Sequence, residues 1–181
     1  MNNYYTKIIH FWFTELKPKD WWVKNSNLDQ LIKNRFESLH KQAIAGELSS
    51  WRKSAEGSLA EIIVLDQFSR NMYRDTVDSF ASDSLALVLA QNMVASGQDM
   101  SLSPLQRSFA YLPFMHSESK LIHKQAVQLY EKLGQKENLE FELKHKAIID
   151  QFERYPHRNK ILKRVSTNEE IDFLKGPNSS F

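Results

Sequence analysis

Asp66 and Arg70 are the first residues along the chain whose types and spacing suggest chemistry. They continue a face begun by Leu59, Ile62 and Ile63, because positions three and four apart lie together on a helix. An acid is thereby aimed at the interior, where a lone carboxylate charge is costly, and the guanidinium one turn on is its natural partner. A second stripe, Glu118, Leu121, Ile122, Gln125 and Leu129, has His116 just ahead of its first turn. A third sets His145 among Phe141, Ile148 and Phe152 and ends in Arg154-Tyr155-Pro156-His157-Arg158-Asn159. Asp66 or Glu118 has the chemistry of a general base, and His116 or His145 that of an acid–base group. Arg70, Arg74, Arg154 and Arg158 are forks suited to an anion or to developing negative charge. Arg154 and Arg158, four apart at a broken helix end, equally suit the capping of its last carbonyls. The same inward groups can also simply pair with one another, as buried polar groups must.

Other reaction classes leave little trace. Glu37 to His40 and Glu142 to His145 have the Glu-x-x-His spacing of di-iron bundles, but His40 falls with Lys33 and Glu37 on the polar side of its helix, so no metal is expected. The chain has no Cys, which removes thiolate nucleophiles, disulfides and sulfur-ligated metals. No Gly-rich phosphate loop, nucleophile elbow or His-Glu-x-x-His motif is present, and no cofactor is implied. Residues 144–164 carry +5 and the remainder −3. Half of those bases would face solvent on a helix and no aromatic stacking platform accompanies them, so nucleic acid is not expected as a partner.

Helices alone must position these groups. Gly (5) and Pro (5) are scarce, and apolar spacing of three and four recurs where strict alternation does not. About eight helices are expected. The first runs from Tyr4 to Leu16, stopped by Lys17-Pro18, with Trp21 and Trp22 folding back as lids. The second has Asn27 as N-cap and Leu28, Leu31, Ile32, Arg35, Phe36, Leu39 and Ala43 inward until Gly46. The third begins near Ser58 and the fourth spans Ser79 to Ala95. The fifth opens at Ser103-Pro104 and ends near Leu112-Pro113. The sixth runs from Ser117 to Leu133, closed by Gly134, and the seventh from Asn138 to Arg154. The last follows a Ser166-x-x-Glu169 capping box, and Asn178 to Phe181 form a frayed tail.

One hydrophobic core and one domain over 1–181 suit a chain that is 41% hydrophobic and 12% aromatic. The near balance of Lys+Arg (24) and Asp+Glu (22) describes an ordinary solvated surface. MNNYYTKIIHFWF lacks the layout of a signal peptide, and no segment has the apolar length of a membrane span. A cytoplasmic protein without a membrane partner is expected.

Several strings then stand out in order: FWF (Phe11 to Phe13), DWW (Asp20 to Trp22), LDQFSRNMYR (Leu65 to Arg74), FASD (Phe80 to Asp83), LPFMHSE (Leu112 to Glu118), RYPHRN (Arg154 to Asn159) and STNEE (Ser166 to Glu170). In these the chain resembles the bacterial family known as domain of unknown function 924, over nearly its whole length. The resemblance implies an all-α fold of antiparallel helix pairs in a tetratricopeptide-like array, and it transfers architecture without chemistry. Carried residue by residue, it adds Gln67, Asn71, Arg74, Asp83, His157 and Asn159 to the polar positions found by periodicity. Glu153 and Lys163 stand where the family often has glycine, which predicts a less permissive backbone around the Pro-His-Arg-Asn turn.

Three functions fit these residues. One is a module binding a small anionic ligand or a peptide through Gln67, Arg70, Asn71, Arg74, Arg154, His157, Arg158 and Asn159. Another is a hydrolase or transferase using Asp66, His116, Glu118 and His145. The third is an interaction scaffold in which the polar set is purely structural.

Overall fold

The computed structural model describes residues 4–177 and Ser179, and all regular structure among them is helical. Helix α1 (Tyr4–His10) passes directly into a π-helical turn, Phe11–Glu15, and α2 spans Ser26–Ile44. Helix α3 (Ala55–Ile63) continues through a second π turn, Val64–Phe68, into α4 (Ser69–Met72) without leaving helical backbone angles. Then follow α5 (Asp83–Ala95), α6 (Pro104–Met115), α7 (Lys120–Leu133), α8 (Lys136–Phe152) and α9 (Asn168–Phe173). No helix among the described residues is long and apolar enough to cross a membrane.

Local chemistry sets most boundaries. Ser103 caps α6 by accepting from the Gln106 N–H, while the Gln106 side chain returns to the Ser103 N–H. Gly134 ends α7 in the left-handed conformation that costs glycine nothing. Several boundaries differ from expectation: the helix expected from Ser79 opens only at Asp83, after a separate 3-10 turn over Val77–Ser79, and those expected from Ser58 and Ser117 begin at Ala55 and Lys120. Asn25, not Asn27, caps α2, because its Oδ1 reaches the N–H groups of Asn27 and Leu28. Thr167 and Glu170, not Ser166 and Glu169, form the capping box of α9. Helix α6 runs past Pro113 to Met115, where every residue from Ser108 on is buried, and that packing outweighs the proline's lost hydrogen bond. The frayed tail expected over 178–181 lies outside the described residues apart from Ser179.

Consecutive helices pack on one another in the second half, α5 on α6, α6 on α7 and α7 on α8, which accommodates the antiparallel pairing expected. In the first half α1 packs on α3, while α2 packs on the π turn and α4. The core between them is aromatic: Phe11, Phe36 and Phe68 meet in pairs 5.0–6.0 Å apart, and Trp12 stands edge-on to Phe109 at 5.8 Å. Gly57 lets the first turn of α3 press against the preceding 3-10 helix, since a Cβ there would lie 2.1 Å from the Trp51 carbonyl oxygen. Trp12, Trp51 and, in part, Trp21 are covered, but Trp22 stacks on Phe109 with most of its surface exposed.

Helical phase shows the largest departures. The buried line of α7 is His123, Ala126 and Tyr130, whereas Leu121 and Gln125 face solvent. Along α8 it is Glu142, His145, Ile148 and Ile149, with Phe141 half exposed. His40, expected on the polar side of α2, is buried: its Nε2 lies 2.7 Å from Ser69 Oγ, which itself donates to the Leu65 carbonyl. In each case an interior polar residue occupies a position that hydropathy assigns to the surface.

Candidate functional site

Four chain segments bring the central polar group together. Asp66 lies in the π turn after α3, and Arg70 follows one turn later in α4. His116 caps the C-terminus of α6, Asp83 opens α5, and Arg158 closes the short helix Pro156–Arg158. π turns widen a helix locally and recur at functional sites. Here the widened turn carries a carboxylate that is 1% exposed.

Asp66 is fully engaged. Its Oδ1 lies 2.7 Å from His116 Nδ1 and 3.0 Å from Arg70 Nη1, and its Oδ2 accepts from Gln67 Nε2 at 2.6 Å. Burial alone would push this acid up; the Arg70 cation first, then the carboxylate's contact with His116 and the hydrogen bond from Gln67, outweigh that and hold it well below the usual carboxylate range. Arg70 forks onto Asp83 at 3.0 and 3.1 Å, and Arg158 reaches the same carboxylate at 3.3 Å and the His116 carbonyl at 3.0 Å. The Arg158 guanidinium is sandwiched 4.6 Å from the rings of both Phe80 and Tyr155.

Two consequences follow for His116. Burial and the Arg70 cation keep its pKa below the ordinary histidine value, so the ring is neutral near pH 7. Because Asp66 can only accept, Nδ1 carries the proton and Nε2 presents a lone pair. That nitrogen makes no hydrogen bond and is not sealed off, the side chain being 15% exposed.

Arg158 has the opposite problem. It is 6% exposed, its Nη atoms are used, and its Nε–H is buried without an acceptor. Burial and the neighbouring Arg70 both depress its pKa, so its charge is under-compensated. The nearby imidazoles report the same surroundings: burial, then Arg158, hold His157 down to about 4. His145, whose Nδ1 donates to the Phe141 carbonyl at 2.7 Å, is held down to about 3 by burial. Buried His157 Nδ1 also has no partner.

The other expected site residues are placed elsewhere. Glu118 accepts the fork of Arg164 at 2.6 and 2.9 Å and the Tyr155 N–H at 2.8 Å. Arg154 forks onto Glu170 at 2.6 and 2.7 Å, and Asn159 joins Ser166, Glu170 and Arg164. Glu118 thus ties the 154–164 loop to the turn between α6 and α7, and Arg154 and Asn159 clamp it to α9. Asn71 and Arg74 hold Asp29 of α2 at 2.7–2.8 Å, lining a separate cleft of about 230 Å³ with Lys33 and Gln30. A further cleft of about 220 Å³ is lined by Glu61, Arg52, Ser58, Asn92 and Gln98.

Hydropathy along the sequence does not single out two further residues, Arg164, which lies in a basic stretch, and His123. The ring of His123 is fully buried, 2.7 Å from Glu142 Oε1 and 2.8 Å from the Ser117 carbonyl. Burial pushes Glu142 up. Tyr155 is the pillar beneath the site: its hydroxyl donates to the Met115 carbonyl at 2.5 Å, and its ring faces His145, His157 and Arg158. The available signal was spacing: His123 stands three before Ala126 and seven before Tyr130, as a core residue would.

The profile of the bacterial protein family of unknown function DUF924 matches residues 8–178. The chain belongs to this family. It is also similar to a solved structure, a protein of unknown function, ATU0120, from Agrobacterium tumefaciens, with 37% identity and a TM-score of 0.91. That match covers 96% of this chain and 98% of the other. No curated protein matches this DUF924 member. Among its described residues, no group of three or more His, Cys, Asp or Glu is placed to hold a metal ion.

Proposed function

We propose that this DUF924 chain binds a small anionic ligand, a carboxylate or phosphate free or on a peptide, at the edge shared by Arg158, Arg70 and His116. The observation that carries the reading is the Arg158 Nε–H, a charged donor buried without an acceptor. An unmade hydrogen bond of that kind costs about 1–3 kcal/mol, which an anionic oxygen would recover. The close approach of Arg70 and Arg158 around the Asp83 carboxylate supports it, because two guanidinium groups there share one acid. The same proposal has the protein acting as one domain in the cytoplasm. Glu118, Arg154 and Asn159 belong to the loop clamp instead, which supports a structural role for that part of the polar set.

Thermal shift and calorimetric titration with phosphate and with small dicarboxylates test the reading. A ligand at ten times its Kd stabilises by about 1.4 kcal/mol. Arg158→Lys keeps the charge but removes the Nε–H and the fork, and is expected to lose the shift while remaining folded. No shift with any of these anions, or an equal shift in Arg158→Lys, contradicts the reading.

A further inference from the structure

We propose that His116, aimed by Asp66, is the general base for hydrolysis of a carboxylic ester whose acyl part bears a second, free carboxylate. The inference rests on the anion-binding reading, which supplies the anchor for that carboxylate at Arg158. Its own basis is the geometry of the dyad. Asp66 is buried and held by Gln67 and Arg70, so it can neither rotate away nor accept water in place of His116. The imidazole is therefore fixed in the tautomer that leaves Nε2 as a proton acceptor, with no hydrogen bond to the protein.

The residues around it decide which reaction gains. Facing His116 are Asp66 and Arg70 from the π turn and α4, Asp83 from α5, and His157 and Arg158 from the loop, with His145 of α8 felt at longer range. None of these is a Ser, Thr or Cys, and the Asp66 and Asp83 carboxylates are held in ion pairs, so the proposal takes water as the attacking group. A base helps most where water forms its new bond in the rate-limiting step, as at an acyl carbon. Phosphoryl transfer passes through a loose transition state and gains mainly from positioning and charge.

The atoms balance as follows. Water oxygen bonds to the acyl carbon as His116 Nε2 takes one of its protons, and the carbonyl electron pair moves onto oxygen. Arg70 is 21% exposed, and its Nε–H makes no hydrogen bond and is not sealed off, so it can meet that negative charge. On collapse the bond from carbon to the alcohol oxygen breaks, and the imidazolium returns its proton to the departing oxygen. The products are a dicarboxylic acid and an alcohol, with the imidazole neutral again.

Mono-4-nitrophenyl adipate, compared with 4-nitrophenyl hexanoate, is the probe. The intact chain is expected to release nitrophenolate from the carboxylated ester with at least tenfold higher kcat/KM than from the neutral one. His116→Gln should lose about 100-fold or more of the kcat. Asp66→Asn, a change at a positioning residue, should lower kcat and move the acid limb of the pH profile to lower pH, since the imidazole loses its anionic neighbour. Wild type alone keeps the test decisive should a variant misfold: kcat/KM must fall on acidification along one ionisation, and a flat profile overturns the proposal. Calorimetry with adipate separates the two readings. Adipate bound without turnover overturns the hydrolysis and leaves anion binding standing; no adipate binding and no turnover overturns both. Turnover unchanged in folded His116→Gln also overturns the assignment.

Discussion

Asp66→Asn tests how the central cluster is held together. The substitution keeps shape but removes the charge facing Arg70 at 3.0 Å and His116 at 2.7 Å. Removing one member of a buried ion pair costs about 3–5 kcal/mol. Here Arg70 keeps its two-point contact with Asp83, and the asparagine carbonyl still accepts one hydrogen bond, which leaves a loss of about 2–3 kcal/mol. With a urea m-value of about 2 kcal/mol/M, the unfolding midpoint should fall by about 1–1.5 M at pH 7. Asp172→Asn, at an exposed pair with Lys175, is the control and should stay within about 0.5 kcal/mol of wild type. Because the native Asp66 carboxyl is held low, its contribution is complete above the ordinary carboxylate value of about 3.9 and is lost as pH falls below it. The gap between variant and wild type should therefore narrow in acid. An Asp66→Asn midpoint within about 0.2 M of wild type at pH 7 would show that the Asp66 charge does not hold the cluster together.

Three further outcomes are expected. His145 and His157 stay neutral in the fold, with values held down to about 3 and about 4, while the unfolded chain protonates them near pH ~6.5. Stability should thus be full above that pH and fall below it with a slope approaching about 2.7 kcal/mol per pH unit, and His157→Gln should reduce the slope in urea titrations. Lys163 is exposed and sits at φ 55°, so Lys163→Gly should raise stability by about 0.5–1 kcal/mol in the same assay. Gly57→Ala drives a methyl into the Trp51 carbonyl and should cost about 1–3 kcal/mol, read as a lowered Tm.

Much of the fold was legible because helix signals are local. Gly134, Ser103-Pro104 and the residue before Pro18 mark boundaries within a few residues of where they fall. The caps at Asn25 and Thr167 slipped because adjacent Asn, Ser and Thr residues compete for one role, and only the chain's entry angle selects between them. The face of α3 and α4 could be read because Leu59, Ile62 and Ile63 outline it before Asp66 appears. Those of α7 and α8 could not, since His123 and Glu142 satisfy each other across two helices and neither looks apolar alone. Expected site residues split for the same reason. Asp66, Gln67, Arg70, His116 and Arg158 converge, while Asn71 and Arg74 leave for Asp29, and Arg154 finds Glu170. Pairing across the fold depends on partners that spacing along one helix does not reveal. Glu153 and Lys163 take positive φ of 59° and 55°, a region that favours glycine, so the loop is held at some backbone strain.

On the proposed reading His116 is neutral, with Nδ1–H on Asp66 and Nε2 left to meet an anion held by Arg158. Nitrogen-15 NMR of the imidazole rings at pH 7, with and without millimolar adipate, measures this directly. Expected are a protonated Nδ1, an unprotonated Nε2, and a change in the His116 signals on adding adipate that is absent from Arg158→Lys. An imidazolium or an Nε2–H tautomer at His116, or signals indifferent to adipate, would contradict that reading.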